Sequence, residues 1–556
     1  MKKYIILALV AAGTLSVASC AKFLDVKAEG SPTADQYFQN DKQAIDAVDG
    51  IYARLAQESC MGRELYWEQA VANDIVWGRT RGYPTLATFE YTGDESPLRS
   101  VFGNAYTEGM NRANWIIQQL LDKQSQAGKE LTAVEKRSLG EAYFMRAYWH
   151  FLIAYRYGTK DLGVPFIAYE TLEGGYNNTI PPQQPTVMED YRLIVQELKK
   201  AEDILPKFEE YSAEDRGRAH KAAAAAVMAK VYAYWATWDK TQWPNVITCV
   251  NRLETSYGRD LHPVFTDLFA PDVTKFFTKE YCWGYPSNGS NNGKSGGSIE
   301  FPGVSLENKG WGKFNGWGQF KPSYDIYAEM AKDNVGGVKN ERLAATMLEY
   351  GDKFMYFGEE REYWSTSDVE SGFQIYKFMQ PFAPADPQGA GYLLDNADWP
   401  CTLINWPIVR FADCLLLRAE AYLVAGEAGK AKDDINRIRN RSHLAPLTAN
   451  ATWEDLYHER RCELAFEMAN DHAADCKRWA VGGADQIKAL ALKELNSHPQ
   501  VRHYADRSDP HSTCTVGDYE DYKNQLPWND KFITFPYPTE QVNKSAGALK
   551  NPPTWN

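Results

Sequence analysis

The 556-residue chain is 44% hydrophobic and 24% charged, a globular composition that excludes disorder as its main state and allows a large core. Its 60 Lys and Arg against 73 Asp and Glu give a formal charge of -13, which repels a phosphate backbone and makes nucleic acid a poor partner. Aromatic residues reach 13%, with 17 Trp and 33 Tyr, side chains that stack on planar or sugar-like ligands while keeping a polar handle.

The N-terminus reads as an export signal: Met1-Lys2-Lys3, an apolar run from Tyr4 to Leu15, then small residues before a cysteine. Val17-Ala18-Ser19-Cys20 resembles the bacterial lipobox, so residues 1–19 are expected to be removed and Cys20 to receive the lipid. No later segment offers some ~18 uninterrupted apolar residues, so the acyl chains, not a transmembrane helix, are the expected anchor.

Apolar residues at helical spacing predict helices over 33–57, 98–121 and 132–157, the last apolar nearly all round and therefore buried among others. Arg146 and His150 share a face of that helix and are expected to be satisfied in its interior. A second group follows at 186–205, 213–238 and 244–256, and a third at 407–425, 428–442 and 453–470. Ala419-x2-Tyr422-x3-Gly426-x4-Ala431 has the small-aromatic-turn-small order of a tetratricopeptide helix pair, with weaker echoes at Ala229-x2-Tyr232 and Val48-x3-Tyr52. The expected fold is mainly α, with tetratricopeptide-like pairs as scaffold and loop-rich insertions.

Between 276 and 321 the character changes to Cys282-Trp283-Gly284-Tyr285-Pro286, a Ser/Asn/Gly tract, and Trp311-Gly312-Lys313-Phe314-Asn315-Gly316-Trp317-Gly318. So many Gly and Asn exclude a helix, and so many Trp in a loop point to ligand contact. Trp283, Tyr285, Trp311 and Trp317 are the candidate platform, with Asn315 as a polar partner.

Phosphate and protease motifs fail on inspection. Gly293-Lys294-Ser295 lacks the leading glycine of a phosphate loop, since position 288 is Asn288, and His458-Glu459-Arg460-Arg461-Cys462 has Cys462 where a zinc protease needs its second His. His458-x3-Cys462 and His472-x3-Cys476 each place a His and a Cys on one helical face; buried structural thiols are the expectation, and no metal or cofactor is predicted. Eight cysteines remain after Cys20, and their spacing does not define a pairing.

Several segments together resemble the SusD/RagB family of nutrient-binding outer-membrane lipoproteins. They are Cys20-x2-Phe23-Leu24-Asp25, the Glu141 to Tyr148 run with Gly163-Val164-Pro165-Phe166, and Arg218-x2-Lys221-x2-Ala224. Nearer the C-terminus come Pro407 to Ala421 with Arg410 and Asp413, Asn436-x2-Arg439-x-Arg441, Glu459 to Glu467, and Phe535-Pro536-Tyr537-Pro538. One departure stands out: Met468-Ala469-Asn470-Asp471-His472 replaces the Gly and basic residue that usually follow Glu467.

The resemblance implies a single lobe over 20–556, with parts at 20–257 and 258–556 and a binding-loop insertion at about 276–321. It implies a surface-exposed lipoprotein that captures an oligosaccharide, or alternatively a peptide or other small nutrient, and passes it to a SusC-like TonB-dependent transporter. It implies no enzyme; the rival of another class is a glycan-degrading enzyme. It also places a stacking aromatic at Trp77, just after Asn73-Asp74, with Asp74 as a polar contact and Arg79 and Arg81 as hydroxyl donors. Arg410, Glu420, Arg460, Glu463 and Glu467, by contrast, are expected to be paired charges between helices.

Overall fold

The computed structural model describes residues 37–62, 64–77, 84–126, 128–171, 180–270, 275, 277–286, 320–356, 359–364, 371–378, 404–467 and 472–555. Its longer α-helices are α1 (Asp41–Tyr52), α2 (Met110–Ser125), α3 (Ala133–Tyr157), α4 (Val187–Ile204), α5 (Lys221–Trp235) and α6 (Trp243–Thr255). They continue with α7 (Tyr324–Ala331), α8 (Phe411–Val424), α9 (Ala428–Arg441), α10 (Trp453–Glu463), α11 (His472–Gly482) and α12 (Asp485–Leu495). Among the described residues the sheet content is five antiparallel two-stranded pairs. They join β1 (Ile75–Trp77) to β3 (Phe320–Pro322), β2 (Tyr281–Tyr285) to β8 (Trp406–Arg410) and β4 (Met347–Glu349) to β7 (Phe373–Ile375). The others are β5 (Lys353–Tyr356) with β6 (Glu359–Glu362), and β9 (Gln500–Tyr504) with β10 (Cys514–Asp518). The fold is mainly α, as expected.

Local chemistry sets the helix ends. Thr132 caps α3 through a reciprocal box, its hydroxyl accepting from the Glu135 N–H at 3.1 Å while the Glu135 carboxylate accepts from the Thr132 N–H at 3.0 Å. Thr186 caps α4, and Leu205 ends it. α3 is buried on nearly every face, packing against α2, α4 and α1. α5 achieves the same with a run of five alanines, which lets α4, α6 and α8 approach closely. The Ala419 to Ala431 motif is the α8–α9 pair, reversed at Gly426, whose φ of 76° is one that glycine adopts without strain. Most of the buried apolar side chains among the described residues form one cluster that draws on both halves of the chain.

Several segments differ from expectation. Of the described part of 33–57 only Asp41–Tyr52 is helical, its start set by Asn40, whose side chain accepts from the Gln43 N–H at 3.0 Å. The 98–121 segment is broken by a wider π turn at Gly103–Gly109 before α2 begins. The 213–238 segment becomes helical only at Lys221, where the His220 ring accepts from the Ala223 N–H. Residues 406–410 form a strand, not the start of a helix, because β8 pairs with β2; the Phe411 N–H then donates to the Glu280 carbonyl at 2.8 Å and opens α8. α10 stops at Glu463, where Phe466 takes φ 65° and the buried Lys377 ammonium donates to the carbonyls of Glu463 and Ala465 at 3.1 and 2.9 Å. An ammonium thus satisfies groups that a longer helix would have bonded itself.

The interior seam of α3 is as expected. Arg146 donates to Glu197, Glu170 and Asn114 at 2.9, 2.8 and 2.8 Å. His150 accepts from the Ile167 N–H at 2.9 Å, and burial together with Arg146 pushes its pKa down to about 3, so it is neutral. Among the described residues no helix is long and apolar enough to cross a membrane.

Candidate functional site

Asn73-Asp74-Ile75-Val76-Trp77 does not end in an open loop. Two β-branched residues and an aromatic make β1, which pairs with β3 in the register Ile75 to Pro322, Val76 to Lys321 and Trp77 to Phe320. The Ser323 N–H donates to the Asp74 carbonyl at 2.9 Å and its hydroxyl to the Asn73 carbonyl, while the same hydroxyl caps α7. Trp77 and Phe320, directly opposed in this pair, are the described residues next in sequence to 78–83 and to 287–319. The two predicted ligand segments, around Asn73 to Trp77 and within Cys282 to Trp317, therefore lie partly outside the described residues. Arg79, Arg81, Trp311, Asn315 and Trp317 lie outside the described residues, as does Cys20.

The other predicted contacts need correction. Trp77 is 1% exposed, its ring set edge-on against Trp67 at 4.9 Å, Tyr522 at 6.1 Å and Phe320 at 6.3 Å. Tyr519 and Tyr522 hold its backbone, the first donating to its carbonyl at 2.7 Å and the second accepting from its N–H at 3.3 Å. Trp283 is 3% exposed and meets the rings of Phe144 and Tyr148 at 4.6 and 4.8 Å. Tyr285 is buried opposite Trp406, and burial pushes its pKa up to about 12. Asp74 is buried in an ion pair with Arg461 at 2.6 Å. None of these four presents a free face or a free carboxylate to a ligand. Loop-forming neighbours reveal a turn but not which way a side chain points, and the gain from burying an indole settles the direction inward.

The described residues do enclose a polar cleft of about 640 Å³ between α7, α10 and α12, lined by Asn73, Tyr324, Asp325, Tyr457, His458 and Glu494 among others. His458 bridges its wall, one ring nitrogen 2.7 Å from Glu329 and the other 3.0 Å from Asp333. Burial opposes its charge, but Cys462, Asp333 and Glu329 outweigh that and raise its pKa well above the ordinary value. Glu329, despite burial, is held at about 2 by hydrogen bonds from His458 and Lys332. Asp325 shows the opposite balance: burial lifts it to about 6, although it accepts the Gln500 N–H at 2.6 Å. On the floor Arg461 joins Asp74 to Glu494, which also accepts from the Tyr457 hydroxyl. Such a cleft can hold a polar ligand, with Tyr324 as an aromatic edge. Of its carboxylates, Glu329, Asp333 and Glu494 pair with cations and Asp455 accepts from the Thr452 hydroxyl. Glu494 and Tyr457 had no signal in the sequence, because only packing brings α12 against α10 and α11.

The charged residues expected to be structural are so. Arg410 pairs with Glu280, with Glu463 at 3.2 Å and with Glu467 at 2.8 Å, all fully buried. Arg478 pairs with Glu420 at 2.7 Å, and Arg460 with Asp413 at 3.0 Å and Asp475 at 2.8 Å.

Comparison with known proteins agrees with this architecture. Residues 279–555 match the model of the SusD family, and residues 22–233 match a model described as starch-binding associating with outer membrane. SusD-like protein P2 of Formosa agariphila is 25% identical over 510 residues, covering 87% of this chain and 92% of the relative. A SusD homolog from Bacteroides thetaiotaomicron superposes with a TM-score of 0.71 at 18% identity, covering 94% of this chain and 98% of the other. Surface glycan-binding protein A from Bacteroides uniformis gives 0.67 at 19% identity, covering 93% of this chain and all 100% of the other.

Proposed function

The chain belongs to the SusD/RagB family, and on that premise we propose that it is a cell-surface lipoprotein that binds an oligosaccharide and passes it to a SusC-like TonB-dependent outer-membrane transporter. The observation that supports the site is the pairing of Trp77 with Phe320, the described residues that flank segments 78–83 and 287–319 in sequence. Arg81, Trp311, Asn315 and Trp317 on those segments are the proposed contacts: rings for the apolar C–H face of a sugar, polar groups for its hydroxyls. Resemblance to a surface glycan-binding protein supports a glycan over a peptide. No step of bond breaking is assigned to the chain.

A glycan array on the protein lacking residues 1–20 identifies the ligand. Calorimetry on Trp311→Ala and Trp317→Ala then tests the site. Loss of a stacking ring costs about 1 to 3 kcal/mol, a weakening of about tenfold or more. Unchanged affinity in both would remove the assignment, and product formation from the bound glycan would make the chain an enzyme. Cys20→Ala should release the protein from the outer membrane, and mild-detergent purification of the wild type should bring a TonB-dependent barrel with it.

A further inference from the structure

His472 and Cys476 lie one turn apart on α11, and the two-residue connection Gly483-Ala484 folds α12 back along it. The first turn of α11 therefore meets the last turn of α12, where Glu494 stands. His472 Nε2 is 3.4 Å from Cys476 Sγ and 3.0 Å from Glu494 Oε2, and Sγ is 3.6 Å from that same oxygen. Zinc bonds of ~2.0 to 2.3 Å in a tetrahedron put neighbouring donors about 3.3 to 3.6 Å apart. From this triangle we propose that His472, Cys476 and Glu494 form a site for one divalent transition-metal ion of the zinc type.

The charge around the triangle suits a dication. Asp74 and Glu494 are carboxylates, Arg461 is the one cation paired with both, and Tyr457 donates to Glu494. With a neutral imidazole and a thiolate, Asp74, Glu494, Cys476 and Arg461 sum to two negative charges, which a divalent ion cancels. Tyr457 and Glu494 also line the polar cleft, which gives the ion a path in and leaves water or a cleft ligand for the fourth position. His458 and Cys462, the other pair with this spacing, differ: both ring nitrogens are taken by Glu329 and Asp333, and Sγ is 3.8 Å away.

The test titrates the chelator-treated protein with cobalt(II), which substitutes for zinc and reports its donors by absorption. One equivalent should produce visible bands of a tetrahedral ion and a thiolate-to-cobalt charge-transfer band, and one equivalent of zinc should abolish both. The charge-transfer band should vanish in Cys476→Ser and persist in Cys462→Ser. Its absence from the wild type, or its survival in Cys476→Ser, overturns the proposal. Should Cys476→Ser fail to fold, zinc-edge X-ray absorption of the wild type decides: one sulfur with nitrogen and oxygen donors supports the site, and two sulfurs or none refute it.

Discussion

Trp77 packs as core, and among the described residues its buried indole N–H has no hydrogen-bond partner. Removing the whole indole should therefore cost more than shortening it to a phenyl ring, which loses no hydrogen bond and keeps an aromatic among Trp67, Phe320 and Tyr522. Trp77→Ala is expected to lower the unfolding free energy by about 3 to 5 kcal/mol, and Trp77→Phe by clearly less. Urea denaturation of the two variants measures this, and an unmoved midpoint in the alanine variant would contradict the burial. His458 yields a second prediction. Its raised pKa means that its stabilising charge is complete below the ordinary His value of about 6.5 and is lost only as pH climbs through the higher folded value. Glu329, held at about 2, contributes above the ordinary carboxylate value of about 4.3 and loses that contribution as pH falls towards about 2. The stability gap between wild type and His458→Gln should thus be widest between about pH 4.5 and 6.5 and shrink in acid. Selective ¹⁵N-histidine NMR should find both ring nitrogens of His458 protonated at neutral pH.

At the scale of elements, the packing of α11 against the end of α5 leaves no room at Gly482. A Cβ there would lie 2.2 Å from the Thr237 carbonyl oxygen, which is backbone and cannot swing aside. Gly482→Ala should cost about 1 to 3 kcal/mol through displacement of the helix, and a thermal melt reports it. At α3, Thr132→Ala removes a reciprocal cap and should cost about 1 kcal/mol; no shift in melting temperature would mean that the box is dispensable. The starts of the helices expected at 132, 186 and 453 were legible in their apolar spacing, and in the structure Thr132, Thr186 and Thr452 cap them. The mismatched ends, at Arg410 and Glu463, were not legible. There a distant strand or the Lys377 ammonium competes with the helix for the same backbone groups.

For the molecule as a whole, the largest buried charge cluster ties distant segments together. Arg410 at the end of β8 meets Glu280 before β2, Glu463 at the end of α10 and Glu467 after it, while Arg441 of α9 also reaches Glu280 and Glu463. Those cations hold Glu463 at about 2 against the desolvation that would raise it. Arg410→Met would take one cation from each of three buried carboxylates and leave Arg441, Arg342 and Lys377 as their remaining partners, and a loss of about 3 to 5 kcal/mol is expected in chemical denaturation. The amino-acid order by itself determined the helical scaffold, the capped starts, the α8–α9 pair and the structural role of these charges, because periodicity, capping and the cost of an unpaired buried ion act locally or on residue type. Tertiary structure alone decided that Trp77 faces Phe320, that Trp77 and Trp283 point inward, and that Glu494 completes a triangle with His472 and Cys476. Each of those facts depends on which surfaces pack across the chain, and the free energy that selects them belongs to the assembled core rather than to any one segment.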